Sequence, residues 1–111
     1  MTAQNKQQLL DLLKRTVTRL VNEHGSVSIN DVNWSTLSSL AEYSIKLEYN
    51  KALIKALKED YVDTYIKGIE RDLLNNTFNG SSTNPYSNAL AQTEREVATK
   101  FYRDYKELLT N

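Results

Sequence analysis

Residues 34–58 read WSTLSSLAEYSIKLEYNKALIKALK, a run of 25 positions with neither Gly nor Pro. From here Leu40, Tyr43, Leu47, Asn50, Ile54, Leu57 and Tyr61 recur at spacings of 3, 4, 3, 4, 3 and 4, the period that puts side chains on one face of a helix. A second apolar set, Ala41, Ile45, Ala52, Leu53 and Ala56, lies largely off that row. A helix that is apolar on two sides suits either the centre of a bundle or a helix shared between the fold and an oligomer contact. Asn50 is the polar member of the row, the kind of residue that fixes register in a helical seam at some expense of stability. Asn33 stands just ahead, where its side-chain oxygen can accept from the first free backbone amides. The pattern predicts a helix over 34–58.

Working outward toward the N-terminus, Leu9, Leu10, Leu12, Leu13, Val17, Leu20 and Val21 keep the same three-and-four spacing and predict a helix over 3–24. Gly25 is placed to end it in the left-handed conformation, with His24 in the last turn at the negative end of the dipole. Ser26-Val27-Ser28-Ile29-Asn30 then reads as an extended connector pinned to the core by Val27 and Ile29.

Toward the C-terminus, Val62, Tyr65, Ile66, Ile69 and Leu73 carry the helical period over 59–75, with Gly68 inside it. Whether 34–75 forms one helix or two, with a bend at 58–61, is open from the pattern. Residues 75–84 are polar turn formers around one Phe78, which is placed to anchor a loop. Asn84-Pro85 restarts a helix as N-cap and first position, and Tyr86, Leu90, Val97, Phe101, Tyr105 and Leu108 give it a narrow stripe over 85–109. The fold expected is all-α: a single domain over 1–111, three to four helices in a compact bundle, and a polar loop before the last helix.

Composition bounds the function. The chain has 111 residues, 14 Lys plus Arg against 14 Asp plus Glu, no Cys and one His. No disulfide, thiolate or multi-His chemistry can be assembled within it. Gly25, Gly68 and Gly80 are too scattered to cradle a phosphate. No run of 18 apolar residues and no signal-peptide core is present, so a soluble intracellular protein without a membrane partner is expected. Glu59 and Asp63 stand one turn apart, but two carboxylates make a poor cage, so no metal and no cofactor is expected. With zero net charge, any contact with nucleic acid has to be local. The clustered cations are Lys14, Arg15 and Arg19 in the first helix and Lys51, Lys55 and Lys58 on one side of the second. The seven tyrosines suggest base stacking less than packing, because Tyr43, Tyr61, Tyr65 and Tyr105 sit on apolar rows.

Several features recur together in one family. They are the long central helix with Leu40, Tyr43, Leu47 and Tyr49, and the stretch Tyr65-Ile66-Lys67-Gly68-Ile69-Glu70-Arg71-Asp72-Leu73-Leu74. The loop Asn79-Gly80-Ser81-Ser82-Thr83-Asn84-Pro85 and the amphipathic last helix through Leu108 complete the set. In this layout, over 34–109, the chain resembles small terminase subunits of tailed phages and prophages. The resemblance implies a non-enzymatic DNA-packaging factor in the cytoplasm of a bacterial host. Such a factor forms a homo-oligomeric ring, binds double-stranded viral DNA and regulates the large terminase subunit. Under it, Leu40, Tyr43, Leu47, Asn50, Ile54, Leu57 and Tyr61 are the candidate oligomer contact. Lys14, Arg15, Arg19, Lys51, Lys55 and Lys58 are the candidate DNA contact. The alternative is a small helical adaptor or inhibitor that binds a host or phage protein through the same amphipathic helices without touching DNA.

Overall fold

The computed structural model describes residues 2–27, 33–78 and 85–110. It is an all-α bundle of four helices: α1 (Ala3–Ser26), α2 (Trp34–Lys58), α3 (Val62–Asn75) and α4 (Pro85–Thr110). Among the described residues there is no strand, and no helix is long and apolar enough to cross a membrane.

Local chemistry explains most of the boundaries. Thr2 caps α1 by accepting from the Asn5 amide at 3.1 Å, and Asn33 caps α2 by accepting from the Thr36 amide at 3.0 Å. Residues 34–75 are two helices, because α2 closes with a left-handed residue, Asp60 at φ 58°. The Glu59 amide reaches Lys55 O at 2.9 Å and the Tyr61 amide reaches Ala56 O at 3.0 Å, which satisfies the last carbonyls of α2. Asn76, at φ 50°, does the same for α3, with the Thr77 amide on Asp72 O at 3.1 Å.

Gly25 does not end α1 as its position predicts. The helix runs through it to Ser26, no glycine described has a positive φ, and the closing bond is the Val27 amide on His24 O at 3.4 Å. The connector residues Ser28, Ile29 and Asn30, the Asn84 cap, the 79–84 part of the loop and the Tyr86 side chain lie outside the described residues.

Lys6 at the start of α1 reaches Asp60 beyond the end of α2 at 2.8 Å, so these two helices are antiparallel. α4 runs parallel to α2: Ala41 and Ala91 line one groove, and further along Tyr49 meets Phe101 with ring centroids 5.4 Å apart. α3 opposes both. Tyr65 donates to Tyr49 O at 3.0 Å, and Tyr102 donates to Glu70 Oε2 at 2.9 Å. The body measures 46 × 33 × 19 Å, a slab about two helices thick.

The core gathers where all four helices meet. Leu9, Leu10 and Leu13 of α1 pack with Leu53 and Leu57 of α2, Ile66 and Ile69 of α3, and Phe101 and Leu109 of α4. Phe101 is the hub of the aromatic part, with Tyr105 at 4.6 Å and Tyr65 edge-on at 6.4 Å. α3 has 14 residues against 25 in α2 and 26 in α4. At 1.5 Å per residue it spans about 21 Å of a pair about 38 Å long. It therefore covers only the end of α2 and α4 that holds the core.

Gly68 lies inside α3, and a Cβ added there meets nothing within 4 Å. Gly68→Ala is expected to stabilise the fold by about 1 kcal/mol, because only the helix propensity changes. A higher urea midpoint at unchanged slope is the expected reading; a lower one would mean that the site is more crowded than this backbone allows.

Candidate interaction surfaces

The row read as an oligomer seam divides at Asn50. Leu57 is 1% exposed and sits in the cluster with the α1 leucines, and Asn50 is 5% exposed. Ile54 packs against the same core. Leu40, Tyr43, Leu47 and Tyr61 are half-buried. Asn50 and Leu57 are thus closed to any partner, and the other five positions of the row are half-buried.

In the second apolar set Leu53 and Ala56 are fully buried, whereas Ala41, Ile45 and Ala52 are half-buried. Beyond the end of α3, Ala41 and Ile45 of α2 face Leu90 and Ala91 of α4 across a shallow groove, with Ser44, Ser87 and Glu94 at its edges. Trp34 at 40%, Leu37 at 43% and Leu90 at 41% are exposed to solvent at this end. Single exposed apolar residues are ordinary, but several at the ends of two adjacent helices around a mostly apolar groove form a patch.

All six candidate DNA-contact cations, Lys14, Arg15, Arg19, Lys51, Lys55 and Lys58, are exposed. On α2 the three lysines fall within about 60° of one another around the helix. They make no ion pair with any described residue. The α1 cations are dispersed, Lys14 and Arg19 standing about 140° apart. Arg19 reaches Glu23 at 3.8 Å and lines a cleft with Asn50, whereas the α2 lysines are turned roughly 100° from Asn50. The six do not form one patch.

That cleft, of about 240 Å³, runs between α1 and α4 above α2. No Cα of α1 lies within 8 Å of one in α4, so the two helices flank α2 without closing on each other. Asn50 lines the cleft. Its Nδ2 donates to Lys46 O at 2.8 Å, while its Oδ1 is the one buried side-chain polar atom among the described residues without a hydrogen-bond partner. Tyr105 stands at the side, its hydroxyl pushed up by burial and then by Asp104, against the opposing pull of Arg19. The cleft could not be read from the chain, because Asn50, Arg19 and Lys100 come together only through the crossing of three helices.

Among the described residues no three acidic or imidazole side chains stand together as a metal site, and Glu59 and Asp63 are both exposed. Comparison with known proteins returns no match, whether to family models, curated proteins or solved structures.

Proposed function

We propose that the chain is a non-enzymatic subunit that works as a homo-oligomer, in the DNA-packaging role implied by its likeness to small terminase subunits. In that role the assembly binds viral DNA and regulates a large terminase subunit. The observation that carries self-association is the end of α2 and α4 beyond α3, where Leu90, Trp34 and Leu37 are exposed and Ala41, Ile45 and Ala91 half-buried around a shallow groove. A second copy contributing a helix there would continue the layer that α3 begins. The exposed strip of Lys51, Lys55 and Lys58, which makes no ion pair with any described residue, supports phosphate contact. Repeated around an assembly, three lysines per subunit give a salt-sensitive affinity that one neutral subunit lacks. The dispersal of the α1 cations favours the second reading, a helical adaptor that binds a protein through the same open end.

Light scattering separates the two. The wild type is expected as a defined multimer, and Leu37→Glu with Leu90→Glu as a monomer of unchanged helical circular dichroism, since both positions are exposed in the single chain. A wild-type monomer would remove the packaging role and leave the adaptor. If the multimer forms, replacing Lys51, Lys55 and Lys58 by Glu should abolish duplex DNA binding at low salt; equal binding by both proteins would take DNA away from this strip.

A further inference from the structure

We infer that the groove between the first half of α2 and the middle of α4 is a binding site for a neutral pyranose sugar, a mono- or disaccharide. Its lining runs from Trp34 to Lys46 on one side and from Thr93 to Lys100 on the other, around a volume of about 600 Å³, within the range of small-ligand clefts. At 1.5 Å per residue the α2 side is about 18 Å long, room for two sugar rings in line. The groove shares no lining residue with the one formed by Ala41, Ile45, Leu90 and Ala91, so the inference does not rest on assembly.

Three properties of the lining select the ligand. Trp34, the chain's one tryptophan, is 40% exposed at one end, and an indole offers a flat apolar surface suited to the C–H face of a pyranose ring. Ser35, Ser38 and Ser39 stand within about 100° of one another around α2. Their hydroxyls make no hydrogen bond with any described residue, and the Ser38 and Ser39 oxygens are not shut in the core, since Asn50 Oδ1 is the one buried orphan among the described residues. Each such hydroxyl donates once, accepts twice and turns to suit its partner, which matches the adjacent hydroxyls of a sugar. The charges balance: Glu42 and Lys46 pair at 2.9 Å, and Glu96 and Lys100 stand one turn apart on α4. The lining therefore sums to zero and favours neither an anion nor a cation. Trp34 and Val97 are its only apolar residues, too few to seat the apolar stripe of a partner helix.

The test titrates the wild-type protein with D-glucose, D-galactose, N-acetyl-D-glucosamine, maltose and cellobiose, read by calorimetry and by tryptophan emission, with adenosine as a flat ligand for comparison. Because Trp34 is the one tryptophan, its emission reports on this groove alone. At least one sugar is expected to bind saturably, with a blue shift of the emission and the same midpoint at low and high salt, since no charge is exchanged. Trp34→Ala should weaken the calorimetric binding about tenfold or more, and the double variant Ser38→Ala with Ser39→Ala about fivefold or more. Both should keep the helical circular dichroism, because Trp34 is exposed and neither serine is fully buried. If one variant loses that spectrum, the other carries the test. No saturable binding of any of the five sugars, tighter binding of adenosine than of every sugar, or unchanged sugar binding by a folded variant overturns the assignment.

Discussion

Leu53→Ala is expected to lower the free energy of unfolding by about 3 kcal/mol, within the range for deleting a large buried aliphatic group. Leu53 is 0% exposed and belongs to the cluster that joins all four helices, so the lost atoms leave a cavity that no single side chain can fill. In a domain of this size the melting temperature should fall by roughly 15 °C. Leu74→Ala is the matched control, since Leu74 is 78% exposed and its truncation should stay within about 0.5 kcal/mol. Urea titrations with equal slopes would read both values. A Leu53→Ala loss no larger than that of Leu74→Ala would mean that the core is not where these helices meet.

The second large effect is alkaline unfolding. Burial pushes the Tyr49 hydroxyl up to about 12, helped by Glu94, Asp72 and Glu48. Burial raises Tyr65 further, with Tyr49 and Tyr61 adding to it. Because the folded values lie above the unfolded value near 10, the native state holds these protons more tightly. The stability they confer is fully present below pH 10 and is lost as pH rises through the folded values. Both rings are partly open to solvent, so the full linkage is discounted, leaving a loss of about 2 kcal/mol by pH 12. Tyr65→Phe gives up its bond to Tyr49 O and should be less stable at neutral pH, yet should show a shallower decline above pH 10. Parallel pH profiles for the two proteins would show that Tyr65 does not titrate with unfolding.

Sequence legibility followed the range of the physics. Helix period, the Asn33 cap and Pro85 at the start of α4 are local signals, and they placed all four helices to within a few residues. The stop between α2 and α3 was hidden because its left-handed position is filled by Asp60, where a search for glycine looks past it; Gly25 misled in the opposite sense. Of the two apolar faces of α2, the regular row suited either a bundle core or a shared seam, and its Ile54 and Leu57 pack in the core with the α1 leucines. Ala41 and Ile45, in the less regular set, line a shallow groove against α4. Spacing tells which residues share a face but not which neighbour covers it, because that depends on the length of α3. Asn50 stood out as a polar residue in an apolar row, but its place on the floor of a cleft follows from the packing of α1 and α4 around it.

The shortness of α3 also divides α2 in time. Around Asn50 to Lys58 the helix is held by three others, so its amides should exchange with deuterium only through global unfolding. From Ser35 to Ile45 the described neighbours lie to the sides and no residue is fully buried, so exchange there should proceed through fraying of a segment far weaker than the domain. One continuous helix thus belongs to two cooperative units. Anything that settles on the open half slows exchange there first, so occupancy is written into local protection while the core remains as it was.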